Sequence, residues 1–387
     1  MDEKQVLLSQ VAPFVIQWRR QLHRIAELSG CENETAAYLA AELGKMPGIS
    51  LSYPCRTGIV GTLKGDAKTA VCAFRADIDA LPIEEETGLP FASMHNGVMH
   101  ACGHDGNAAM LLGAAWVLSH MQKRKDREIR FIFEPGEETP PGFSSTIIAS
   151  GAIDKVKELY AVHVDAFTPI QHIRICAGHA MAANARFTIE VSGNGGHAAF
   201  PHQCIDTIYI SSLIVNQLQS IPAHIIDPVQ PCVVTVTSLR SNTEAYNVIP
   251  SKVTIKGTVR CLQDDQLDTI VSMVKKQVLS IVQPYSAAVI IDTKMGYRSL
   301  YNDPRLCQKV KKTISQLYGE EFAINDMPVM GGEAFSEYSK YIPVCYIKVG
   351  TMVETDTLYP HHHCKFDINE KGLLTGVSLM VDLAENN

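Results

Sequence analysis

Cys102 and His104 stand one residue apart in the run Met99-His100-Ala101-Cys102-Gly103-His104-Asp105-Gly106. A thiolate and an imidazole are soft and borderline metal ligands, and the intervening Gly103 lets the backbone turn so that both converge on one point. Further along, Phe133-Glu134-Pro135-Gly136-Glu137-Glu138 places two adjacent carboxylates where an apolar run ends. Neighbouring side chains of an extended chain point to opposite sides, so one carboxylate can bind a metal while the other faces the water it activates. Taken singly, each feature has a plainer explanation: buried cysteines are commonly inert, and Glu-Glu pairs are commonly solvated. Their combination within one strand–helix–strand unit reads as a metal site. His163 interrupts the apolar run Leu159–Val164. A lone strand histidine is more often a core residue, but beside Cys102, His104 and Glu138 it reads as a further ligand.

The elements that must carry these residues follow from periodicity. Gly106 reads as the punctuation before a helix over Asn107–Ser119, and Ile129–Phe133 as a short strand ending at Pro135-Gly136. Val6–Ala26 and Glu34–Leu43 read as helices. Gly58–Leu63 and Thr69–Phe74 read as a hairpin or neighbouring strands about Gly65-Asp66. The second strand runs into Arg75-Ala76-Asp77-Ile78-Asp79-Ala80-Leu81-Pro82, polar residues of the kind that line a site at a strand end. Glu84-Glu85-Glu86 reads as a solvated charge run. From Ala180 the order becomes strand (Ala185–Ser192), helix (Ile205–Gln219), strands (Val233–Leu239 and Lys252–Leu262), helix (Asp265–Gln283) and strand (Ala287–Lys294). This is the β-α-β-β-α-β order of the split βαβ unit. It predicts an α+β domain of ferredoxin-like topology over residues 178–296, inserted in an α/β domain formed by residues 1–177 and 297–387. After the insertion, Pro304–Tyr318 and Glu370–Leu383 read as helices and Val344–Val349 as a strand.

Composition bounds the rest. A chain of 387 residues is long enough for two domains. A net charge of -7 lacks the basic footprint of a nucleic-acid binder. No apolar run reaches the eighteen or so residues of a membrane span. Eleven cysteines without framework spacing, and an N-terminus without a secretory leader, predict reduced thiols in the cytoplasm.

Together the ordered runs Arg75–Pro82, His100–Gly106, Phe133–Glu138, Gly195-Gly196-His197-Ala198-Ala199-Phe200-Pro201-His202, Asn247-Val248-Ile249-Pro250, Gly257-Thr258-Val259-Arg260 and His362-His363-Cys364-Lys365-Phe366 resemble one family. It is the amidohydrolase branch of the dinuclear metallo-aminoacylase and carboxypeptidase superfamily, with hippurate hydrolases, auxin–amino acid conjugate hydrolases and N-acetyl-diaminopimelate deacetylases. The resemblance implies a metallopeptidase-like catalytic domain with a mixed central sheet flanked by helices, the inserted domain acting as a lid. It implies two divalent ions, Mn or Zn first and Co or Ni next, held by Cys102, His104, Glu138, His163 and His362, with the thiolate as bridge. Glu137 would be the general base. His197 would hold the substrate or its oxyanion, within a homodimer or higher homo-oligomer; Asn247 and Arg260 are the candidates for gripping the substrate carboxylate, with a structural role the equal alternative for Arg260. The implied reaction is hydrolysis of a small N-acyl amino acid to a carboxylic acid and an amino acid. A carboxypeptidase or dipeptidase is the enzymatic alternative, and a silent binding relative the non-enzymatic one. Asn107, Ala334, Glu134, Gly136, Ala26 and Cys364 depart from the family pattern, where His, Asp, Gln, Ala and two Pro are usual.

Overall fold

The computed structural model describes residues 2–65, 71–122, 127–355 and 357–385. The chain divides into two compact units, Met1–Gly178 with Tyr301–Met327 and Ala334–Asn387, and His179–Leu300 with Pro328–Glu333. Pro328–Glu333, which sequence patterning leaves with the last part of the chain, joins the second unit through main-chain bonds from Val329 to Ala180 and from Ala182 to Gly331.

The first unit is built on an eight-stranded mixed sheet. Its order is Ile49–Ser52, Ile59–Leu63, Ile129–Glu134, Val71–Asp77, Val156–Asp165, Val344–Gly350, Ile173–Ile175 and Ala323–Asn325. Val71–Asp77 is buried at every position and runs parallel to both its neighbours, as expected of a strand covered on both faces. Ile59–Leu63 and Val71–Asp77 do not form the expected hairpin, because Ile129–Glu134 lies between them. The expected turn at Asp66 and strand start at Thr69 lie outside the described residues.

The helix His104–His120 is buried on nearly all sides, and an apolar surface all round suits a helix at the centre of a core. It begins three residues earlier than periodicity predicts. Gly103, at φ 85°, makes the turn, and Gly106 lies inside the helix. A Cβ on Gly106 would stand 3.0 Å from Ile368 and 3.1 Å from Val164, so glycine there permits close packing. Helix Glu3–Arg24, capped by Asp2 accepting from the Gln5 N–H, buries Val11, Val15, Trp18 and Leu22 in the same core. Glu85 is not solvated: its carboxylate pairs with His23 at 3.3 Å and accepts the Ser93 N–H at 2.7 Å.

The second unit holds a four-stranded antiparallel sheet in the order Cys232–Ser241, Lys252–Cys261, Ala183–Ser192, Ala288–Met295. Helices Thr207–Ser220 and Asp264–Val282 complete its core with Ile214, Leu218, Ile270 and Val274. Burial alternates along Lys252–Cys261, the period of a strand with one covered face. The two-residue strand Gly196–His197 pairs antiparallel with Val248–Ile249. Among the described residues no helix is long and apolar enough to cross a membrane.

Candidate metal centre

In the first unit, the parallel strands Ile129–Glu134, Val71–Asp77 and Val156–Asp165 end on one side of the sheet, the side on which open α/β sheets carry ligands. Cys102 and His104 arrive there from the turn and first residue of the buried helix. Glu137 and Glu138 follow the strand that ends at Glu134, and His163 lies near the end of Val156–Asp165.

Ligand atoms of Cys102, His104 and His163 lie within 4.8 Å of one another, as do those of Cys102, Glu138 and His362. The two groups share Cys102. The first is the deeper, with both histidines buried, and the second opens to solvent at His362. Cys102 Sγ is 3.7 Å from His163 Nε2, and His362 Nε2 is 3.3 Å from Glu138 Oε1. Zinc–ligand lengths at tetrahedral angles put sulfur and nitrogen about 3.5 Å apart, and nitrogen and oxygen about 3.4 Å apart. These two donor pairs are spaced about as an ion between them would require. Buried polar atoms point the same way: His104 Nε2 and Glu138 Oε1 have no hydrogen-bond partner, an arrangement that is costly unless another partner is supplied.

Each ring is oriented by its other nitrogen. His104 Nδ1 donates to the Asp79 carbonyl at 2.9 Å, and His163 Nδ1 to the Val164 carbonyl at 2.8 Å, which leaves both Nε2 lone pairs for a metal. His362 has φ 68°, a left-handed backbone that costs a non-glycine residue roughly 1–2 kcal/mol. The turn separates three consecutive histidines: His361 meets the Cys102 carbonyl at 3.1 Å, His363 stacks on Tyr359, and His362 faces Glu138.

Glu137 and Glu138 do not diverge as an extended chain would require. The strand stops at Glu134, Gly136 takes φ 71°, and one oxygen of each carboxylate and a ring nitrogen of His104 all lie within 4.8 Å of one another. Glu137 is buried, and its Oε1 accepts the Ala334 N–H at 3.3 Å.

The electrostatics favour a cation. Burial pushes the Cys102 thiol well above its ordinary 9.0, so a thiolate here needs a positive partner. Burial works against a charged His104, yet the Asp77 carboxylate outweighs it and raises the ring well above 6.5, so the site draws positive charge, which a metal ion would supply in place of the proton. Burial lowers His163 to about 4, keeping a neutral, ligating imidazole. The adjacent Glu138 carboxylate, 3.3 Å away, favours a protonated ring and raises His362.

Asp77 and Asp79, read from the sequence as polar residues lining a site at a strand end, stand at this centre, and their contacts with its candidate ligands go beyond that reading. The signal was present, since residues two apart on an extended chain share a face. Asp77 Oδ2 lies 3.6 Å from His104 Nε2, and Asp79 Oδ2 accepts the Glu138 N–H at 2.9 Å. Asn107 donates to Asp77 at 2.7 Å and accepts the Val164 N–H at 2.9 Å, tying the helix to two strands beside His163.

His197, Asn247 and Arg260 all lie in the second unit. His197 is exposed and sits opposite Val248, and its neighbour Ala198 donates to the Asn247 carbonyl at 3.0 Å. His197 Nδ1 accepts the Ala199 N–H at 3.1 Å, so the ring's proton is on Nε2. Arg260 donates to the Met330 carbonyl at 2.8 Å.

The model of a family described as peptidase family M20/M25/M40 matches residues 73–386, and the chain belongs to that family. It is an enzyme, a metal-dependent amidohydrolase. The chain is 39% identical over 310 residues to an N-acyl-L-amino acid amidohydrolase of Geobacillus stearothermophilus, covering 79% of this chain and 83% of that one. It is 35% identical over 375 residues to thermostable carboxypeptidase 1 of Saccharolobus solfataricus, covering 95% and 93%. Among solved structures, it is similar to the Bacillus subtilis YxeP protein, a dinuclear metal-binding peptidase of the M20 family. That likeness has a TM-score of 0.84 at 29% identity and covers 97% of this chain and 98% of the other.

Proposed function

We propose that this chain hydrolyses N-acyl amino acids to a carboxylic acid and a free amino acid. Two divalent ions would be held by Cys102, His104, Glu138, His163 and His362. The observation that carries the proposal is the pair of three-ligand groups sharing Cys102, with Glu137 brought beside His104 and Glu138. When bound, such ions acidify a water and polarise the scissile carbonyl. Glu137 takes the proton of the attacking water and returns it to the leaving amine, help typically worth about 10²–10⁴-fold. Its Oε1 is steadied by the Ala334 N–H. His197, with its proton on Nε2, donates to the oxyanion. Asn247, its neighbour across the ribbon, and Arg260, which keeps further N–H donors beyond the one given to Met330, bind the substrate carboxylate.

The mixed sulfur, nitrogen and oxygen donors fit Zn, Mn, Co or Ni without choosing among them; Mn or Zn is proposed. The second unit is the lid of a homodimer or higher homo-oligomer. The cysteines are all free, which supports a reducing, cytoplasmic setting. The test is acid or amine release from a panel of N-acetyl amino acids, N-benzoyl amino acids and dipeptides, with and without added Mn²⁺ or Zn²⁺. Metal-dependent cleavage of the N-acyl substrates is expected. Cleavage of dipeptides alone would make the chain a dipeptidase, and no cleavage with metal bound would make it a binding relative.

A further inference from the structure

Glu32 is fully buried although it is a carboxylate, and such a group persists only with donors aimed at it. Its Oε1 accepts the main-chain N–H groups of Gly30 at 2.8 Å and Gly136 at 2.9 Å, and its Oε2 accepts the Thr57 hydroxyl at 2.9 Å. Glu32 occupies the N-cap position of helix Asn33–Leu43, yet its side chain makes no capping bond there. Glu27 takes the Thr35 N–H instead. The acceptors of Glu32 are thus directed away from its own helix and toward a turn far along the chain.

That turn presents the two carboxylates of the metal centre. Pro135 fixes its own φ. Gly136, at φ 71°, would bring a Cβ to 2.6 Å from the Phe143 ring, so the position admits only glycine. Glu32 holds the Gly136 N–H. Two residues on, Asp79 holds the Glu138 N–H and also accepts the Ser29 hydroxyl at 2.7 Å. The segment Ser29–Glu32 therefore anchors the turn on both sides of Glu137, directly through Glu32 and through Asp79. Glu32 itself belongs to none of the metal-ligand groups among the described residues.

We infer that Glu32 is a positioning residue, which sets the Pro135–Glu138 turn so that Glu137 and Glu138 converge on the metal centre. The inference rests on the roles proposed above for those two carboxylates. Geometry, rather than the charge of Glu32, does this work: a glutamine could keep one oxygen for both N–H groups and turn its amide nitrogen to the Thr57 hydroxyl.

The test compares Glu32→Ala, Glu32→Gln and the parent in the full chain. Zn²⁺ affinity is read by competition with a chromophoric chelator, and kcat and KM are read separately at saturating Zn²⁺. Glu32→Ala is expected to bind Zn²⁺ about 10–100-fold more weakly and to lose a similar factor in kcat, with KM changed by about threefold or less. Glu32→Gln is expected to recover both to within about threefold of the parent. Parental affinity and kcat in Glu32→Ala, or equal damage in Glu32→Gln, would overturn the inference. Should Glu32→Ala not fold, Glu32→Asp keeps the charge and withdraws the oxygen from Gly136; parental values there would overturn it equally. If the parent releases no acid from any substrate, the function proposal fails, and the Zn²⁺ affinities still decide the role of Glu32.

Discussion

His104 Nδ1 lies 2.9 Å from the Asp79 carbonyl and 3.1 Å from its carboxylate. The same carboxylate accepts the Glu138 N–H, so one residue orients two proposed ligands. Asp79→Ala should weaken Zn²⁺ or Mn²⁺ binding by about 10–100-fold, measured by chelator competition. An unchanged dissociation constant would remove Asp79 from the centre.

Cys102 belongs to both ligand groups, His163 to the deeper one and His362 to the outer one. Cys102→Ala should therefore deplete both ions, and His163→Ala and His362→Ala one each, by elemental analysis of the purified protein. Cys102→Ser should behave nearly as badly, because a hydroxyl is a poor substitute for the thiolate that the two groups share. Full occupancy in Cys102→Ala would sink the shared-ligand arrangement.

Glu137→Gln keeps the size and the acceptor for the Ala334 N–H but removes the proton-accepting charge. Metal content should stay near parental while kcat falls by about 10²-fold or more. Turnover within a few-fold of the parent would show that another group is the base.

His197→Ala should retain metal and fold and lower kcat by about 10²-fold, the size of one lost oxyanion donor. Mixing His197→Ala with Glu137→Gln separates two routes. Regained activity shows that His197 serves a partner's centre, and its absence that each chain is self-sufficient. A parental rate in His197→Ala itself would end its proposed role.

Glu158 predicts a pH effect on stability. Burial would raise its carboxyl, but the hydrogen bonds from Lys309 and then Arg127 hold it below its ordinary 4.5. A group whose pKa is lower folded than unfolded stabilises the protein above the unfolded value, and that stability is lost as pH falls through the folded one. Lys309→Met should destabilise the protein by about 1.5 kcal/mol at pH 7. The gap in Tm between parent and variant should close as pH falls below about 4.5. A gap independent of pH would mean that Lys309 acts by packing alone.

Part of the candidate donor set was legible in the sequence as short, local patterns, whereas His163 is a lone strand histidine and His362 entered only through the family resemblance. Cys102-Gly103-His104 and Glu137-Glu138 are close enough that any fold must keep them near each other, and helical and strand periods place them at element ends. The β-α-β-β-α-β order of the second unit was legible for the same reason, each element being a local pattern of burial. What the tertiary structure decided is non-local. Insertion of Ile129–Glu134 beside Val71–Asp77 brings the Glu137–Glu138 turn against Asp79, and no local pattern specifies that strand order. The left-handed backbone at His362 selects which of three adjacent histidines faces Glu138. Glu32, an ordinary helix-start residue by its neighbours, has its acceptors committed to Gly30, Gly136 and Thr57. Hydrogen bonds between distant segments form only once packing has excluded water from them, so sequence spacing could not disclose them.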